Sequence, residues 1–179
     1  MPIRNTLTRY GSVAIILHWV MALLIIGLLA LGLIMVRLPI SLQKLRFFGW
    51  HKEYGLLVLL LIVVRIIWRI SNVVPLLPPS LANWQKQTAH LVHFAFYFFM
   101  LAMPITGWII TSSAGLPASF FGIAVLPDLV LPNENTRQLF TEIHKWLGYS
   151  LIAVICMHVG AALQHHFIYK DDILRRILP

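Results

Sequence analysis

The chain has 179 residues, 59% of them apolar and only 11% charged, with a mean hydropathy of +0.82. A soluble domain carries roughly 25% charged residues, so the composition excludes a water-soluble globule. The formal net charge of +8 is therefore read as membrane topology, and no nucleic-acid partner is expected. The single cysteine, Cys156, lies inside an apolar run, which excludes an internal disulfide and a C-x-x-C-H motif. Eight histidines in so apolar a chain remain to be explained.

A membrane crossing needs about 20 apolar residues, and four runs qualify once their flanks are included. The first covers residues 12–36, with His18 as its one ionisable side chain. Its length and lack of a small-residue cleavage site argue against a removable signal peptide. The second covers 51–70 and ends at Arg69 before a proline cluster at 74–80. The third covers 89–112 and contains Pro104, a kink that membrane helices tolerate. The fourth covers 143–167. The expected fold is all-α: one domain over 1–179, an integral membrane four-helix bundle. The segment 112–135 is expected to lie on the bilayer surface, and the tail 171–179 (DDILRRILP) to form a short amphipathic interfacial helix.

Four spans put both termini on one side. That side carries Arg4, Arg9, Arg65, Arg69, Lys86, Lys170, Arg175 and Arg176. The far side carries fewer basic residues: Arg37, Lys44, Arg46, Lys52, Arg137 and Lys145. Positive-inside counting places both termini in the cytoplasm.

Histidine inside a span is expensive and points to function by default. His51 opens span two and His144 opens span four, both towards the far side. His18 and His158 lie towards the terminal side, two turns from their span ends. Span four thus holds one member of each depth pair, fourteen residues apart. Fourteen residues rise about 21 Å and return the side chain to within ~40° of the same face. Two stacked haems, each clamped between helices by two imidazoles, require that arrangement. The expected axial pairs are His51/His144 and His18/His158, and these four are also the iron ligands.

Two further patterns bear on the same sites. His51 and His144 share H-K-x-x-G, with Gly55 and Gly148 one turn deeper, where a macrocycle approaches the helix. Arg65 follows His51 by the spacing that separates His158 from His144, so it projects towards the terminal-side haem and a propionate. His93 and His165 sit near that level, where titratable groups suit a quinone site. Either could instead be an axial ligand. His90 and His166 read as interfacial histidines.

The motifs R-Y-G-S-V-A-I-I-L-H-W (9–19), H-K-E-Y-G with V-V-R-I-I-W-R (51–69), A-H-L-V-H-F-A-F-Y (89–97), H-K-W-L-G-Y (144–149) and H-H-F-I-Y-K-D-D-I-L-R-R (165–176) resemble the bacterial cytochrome b561 family. The likeness runs from residue 9 to residue 176. It implies a four-helix protein of the bacterial inner membrane with two b haems per chain, on ligands matching His18, His51, His144 and His158. One branch of that family oxidises superoxide at the periplasmic face and reduces ubiquinone, with a quinone-side histidine matching His165. The 112–135 segment looks more like other branches, which leaves the periplasmic donor open. The expected function is transmembrane electron transfer from that donor to ubiquinone. Two alternatives stand beside it: the cytochrome b subunit of a hydrogenase or dehydrogenase, and a transition-metal-binding membrane transporter, since imidazole also suits zinc and copper.

Overall fold

A computed structural model describes residues 2–79 and 81–178. Residue 80 of the proline cluster and residues 1 and 179, the ends of the expected domain and tail, lie outside the described residues. Four long helices dominate: α1 (Ser12–Met35), α2 (Leu42–Ile70), α3 (Asn83–Ser113) and α4 (Glu134–Gln164). Each of the last three begins well before its apolar run. Hydropathy marks only the part suited to lipid, while polar turns continue the helix wherever no breaker intervenes. Side chains close the new ends. The Ser41 hydroxyl accepts Lys44 N–H at 3.2 Å, and Asn133 Oδ1 accepts Thr136 N–H at 2.9 Å.

Among the described residues, α1, α3 and α4 (with its extension to Tyr169) are long and apolar enough to cross a membrane. In α2, Lys52, Glu53, Arg65 and Arg69 flank the apolar stretch 56–64. Ile16, Leu23 and Ile26 of α1, Leu60 and Ile67 of α2, Leu91, Phe94 and Phe98 of α3, and Met157 and Leu163 of α4 all face outward. Such a belt of exposed apolar side chains has lipid as its natural solvent.

The packing is sequential rather than closed. Met21, Val58, Ile62 and Met100 form one buried cluster that joins α1, α2 and α3. Helix α3 packs along α4, yet among the described residues neither α1 nor α2 packs extensively against α4. Among the described residues, Leu151 is the one buried side chain of α4. A gap between α4 and the α1–α2 pair is thereby built into the bundle.

One end of the molecule gathers the two terminal segments and the α2–α3 connection. Asn5 Nδ2 donates to Val73 O at 2.9 Å, Leu76 N to Leu7 O at 2.9 Å, and Arg176 to Leu76 O at 2.6 Å. Over its described residues, 171–178, the tail does not form the expected amphipathic helix. It makes a single 3-10 turn at Leu174–Arg176 and folds back onto α1, where Trp19 Nε1 donates to Ile177 O at 2.9 Å. So short a segment cannot meet the cost of helix nucleation alone, and tertiary contacts decide its path.

The other end adds one small element to the all-helical bundle. Within 112–135 lies an antiparallel hairpin, β1 (Ala118–Phe120) paired with β2 (Ala124–Leu126), Phe120 opposite Ala124. Phe121 and Gly122 both have positive φ, 51° and 69°, and Ile123 N–H bonds Phe120 O at 2.9 Å. That is a type I′ turn, whose twist matches a two-stranded ribbon. Trp108 Nε1 donating to Pro127 O at 3.1 Å and Leu129 N–H to the Ser112 hydroxyl at 3.2 Å tether the segment to the end of α3.

Candidate functional site

The inward histidines of α4 look across the gap. His144 faces His51 of α2, ring centres 6.1 Å apart and planes at 74°. His158 faces His18 of α1 at 6.3 Å and 60°. It also faces His93 of α3 at 6.1 Å and 64°. Two imidazoles on opposite sides of one metal, each at about 2.0 Å, hold their ring centres roughly 6 Å apart. Spacing alone therefore fits iron ligation at both depths and admits either His18 or His93 opposite His158. Packing separates the two. A macrocycle needs helices held apart, as α1 and α4 are, whereas α3 lies directly along α4.

All four helices carry the same fourteen-residue interval. His18 and Gly32 on α1, His51 and Arg65 on α2, His93 and Gly107 on α3, and His144 and His158 on α4 stand in two layers. The terminal layer holds His18, Arg65, His93 and His158. The hairpin layer holds Gly32, His51, Gly107 and His144.

Both glycines of the hairpin layer face an imidazole, and at Gly32 the approach is tight. A Cβ on Gly32 would stand 3.2 Å from His51 Cε1, and one on Gly107 would stand 3.5 Å from His144 Cε1. By contrast, a Cβ on Gly55 meets nothing within 4 Å, and one on Gly148 meets only Met103 Cε at 3.7 Å. No protein neighbour demands glycine at the H-K-x-x-G positions. Sequence reasoning missed Gly32 and Gly107; extending the fourteen-residue interval to α1 and α3 finds both.

Polar partners differ within the hairpin pair. The Thr106 hydroxyl lies 2.9 Å from His144 Nδ1 and donates to Met103 O at 2.8 Å. His51 Nδ1 is buried with no hydrogen-bond partner among the described residues. Nothing in the sequence singled out Thr106.

The terminal layer opens into a cavity of about 480 Å³, within the range of ligand and cofactor pockets. His18, His93, His158, Arg65 and Arg69 line it together with apolar side chains. Arg65 stands where its spacing predicts. Arg69, one turn further, was not expected; its guanidinium also lies 5.6 Å from the Tyr97 ring centre. His165 is outside this lining. It begins a π-helical turn, His165–Tyr169, that ends at Lys170 in the left-handed region. The reversal brings Asp171 back onto His165, with Nδ1 and Oδ2 2.5 Å apart. His93 thus lines the cavity beside His158, while His165 makes a separate hydrogen-bonded pair with Asp171 outside it. Of the interfacial histidines, His166 has a buried Nδ1 without a partner among the described residues.

Opposed imidazoles in a gap of an apolar, membrane-embedded bundle define a membrane cytochrome with b-type haem as the class to which these residues are fitted. The comparisons place it more closely: the chain belongs to the prokaryotic cytochrome b561 family, which matches residues 9–179. This is a family of membrane-integral electron-transfer cytochromes that carry b-type haem. Among its relatives, cytochrome b561 homolog 2 of Escherichia coli (strain K12) is 34% identical across 99% of this chain and 95% of its own. Cytochrome b561 homolog 1 of the same organism is 33% identical across 97% and 98%. A probable superoxide oxidase CybB of Yersinia pestis is 29% identical across 96% of both chains.

Proposed function

We propose that the protein is a four-span, di-haem electron carrier of the bacterial inner membrane, with both termini in the cytoplasm. The observation that carries this proposal is the pair of imidazole pairs at two depths, 6.1 and 6.3 Å between ring centres. His51 and His144 would hold one haem at the periplasmic, hairpin end, and His18 and His158 would hold the other at the cytoplasmic end. When bound, each haem supplies a one-electron site, and two axial histidines leave it no open position for oxygen. Arg65 and Arg69 enter the cavity as partners for propionates, which favour the planar fork of arginine.

The proposed acceptor is ubiquinone at the cytoplasmic end. A quinone takes up two electrons and two protons, so its site needs protonatable side chains at the membrane surface. His165, held by Asp171, and His93 beside the cavity meet that need. The donor side rests on the relative named a probable superoxide oxidase. Each superoxide would give up one electron and leave as dioxygen, two per quinone reduced, and Arg37, Lys44, Arg46 and Lys52 would steer the anion electrostatically. A second donor, a periplasmic redox protein, is favoured by the hairpin end itself, where Ile123, Val125 and Leu131 are exposed apolar side chains.

Purified in detergent, the protein should be red, with a reduced b-type spectrum and two haems per chain. A colourless preparation after haem-sufficient expression would sink the proposal. Stopped-flow reduction of the oxidised protein by superoxide, compared with reduction by ubiquinol, then distinguishes donor from acceptor.

A further inference from the structure

Thr106 stands where it can decide the state of an axial histidine. It lies on α3, two residues after Pro104, and its neighbour Gly107 also faces the His144 ring, where a Cβ would stand 3.5 Å from Cε1. The hydroxyl has one proton and two close partners: Met103 O at 2.8 Å and His144 Nδ1 at 2.9 Å. A carbonyl oxygen can only accept, so the hydroxyl proton goes to Met103. Were it given to His144 instead, the hydroxyl and carbonyl oxygens would face each other at 2.8 Å with no proton between them. The hydroxyl oxygen must therefore accept from Nδ1–H. In the neutral imidazole that leaves Nε2 without a proton and free to bind a metal.

We propose that Thr106 is a positioning residue: it fixes the Nδ1-protonated tautomer of His144, orients the ring towards His51, and tunes the potential of the hairpin-end haem. The inference rests on the assignment of His144 as an axial ligand. A ligand imidazole that donates its other N–H becomes more basic, which favours ferric over ferrous iron and lowers the midpoint potential. The hydroxyl partner is on one side only: among the described residues His51 has no side-chain hydrogen-bond partner and lies instead against the Leu28 backbone. The effect is also confined to one depth, since Thr106 contacts the hairpin pair.

The test is a spectroelectrochemical titration of the haem-loaded protein and two hydroxyl-free variants, Thr106→Val and Thr106→Ala, with Thr106→Ser as rescue. In both hydroxyl-free variants one midpoint potential should rise, by about tenfold in the ferric–ferrous equilibrium, or about 59 mV. The other should stay fixed, and Thr106→Ser should restore the wild-type value. The haem that shifts should be the one lost in His51→Ala. Two haems per chain with both potentials unchanged in Thr106→Val and Thr106→Ala would overturn the role, as would an equal shift in Thr106→Ser. Val and Ala differ in bulk, so poor haem retention in one leaves the other to report. If His144→Ala keeps both haems, the ligand assignment itself fails, whatever the Thr106 variants show.

Discussion

The terminal and hairpin layers share one frame and differ in what fills it. Both take one residue from each helix at the same fourteen-residue interval. In the hairpin layer, α1 and α3 contribute Gly32 and Gly107, so His51 is seated closely against backbone and His144 faces a second glycine. In the terminal layer the same helices contribute His18 and His93, and Arg65 replaces a histidine on α2, around a large cavity. Under the proposed assignment, the hairpin layer would serve ligation alone, with a seat for His51 that no side chain fills. The guanidinium and imidazole groups of the terminal layer would also hold anionic groups and deliver protons. Asp171 and His165 extend that second chemistry towards the surface.

The largest test of the comparison lies on α4, the helix common to both layers. His144→Ala and His158→Ala should each remove one of two haems, and a different one, as read by haem-to-protein ratio and by which potential survives. Loss of the same haem in both variants would merge the layers into one site. Next in size, His165→Ala should slow reduction of the cytoplasmic-end haem by ubiquinol by about 10²-fold while haem content stays at two per chain. An unchanged rate would remove His165 from the quinone site.

Smaller effects sharpen the contrast between seats and charges. Gly32→Ala, whose Cβ would press on His51 at 3.2 Å, should weaken retention of the hairpin-end haem about tenfold. Gly55→Ala should leave it unchanged. Equal retention in the two variants, measured by haem transfer to an acceptor apoprotein, would show that the seat is not needed. Arg65→Leu should lower the terminal-layer potential alone, by about 60 mV for a tenfold bias towards the ferric form, because a cation beside the cavity favours the reduced state. The smallest effect concerns the tail. The hydrogen bond from Arg176 holds the Asp172 carboxyl below its ordinary value. Its contribution to tail docking is therefore complete above about pH 4 and is lost as pH falls through the lowered value. Because Asp172 is exposed, the change should be slight. Amide exchange of the tail that quickens as pH rises, after correction for intrinsic rates, would contradict that sign.

Much of the candidate site was legible in sequence because histidine and arginine are rare in so apolar a chain and recur here at a fixed interval. His18, His51, His144, His158 and Arg65 stand out for that reason. His93 was visible, but its distance of 6.1 Å from His158 was not, since it depends on how α3 lies along α4. Gly32 lies on the fourteen-residue interval, but its contact with His51 was not visible. Thr106 was illegible: it is an ordinary helix residue until α4 brings an imidazole against it.

Composition and period determined, without tertiary information, that this chain lives in a membrane and carries histidines at two depths. Both follow from solvent preference and helical rise, which are properties of one segment at a time. The tertiary structure decided which imidazoles face each other, that α4 stands off from α1 and α2, and that the tail folds back as a single turn. It also made a hairpin of the segment after α3. Each of these depends on contacts between residues far apart in the chain, where no local period or propensity carries the information.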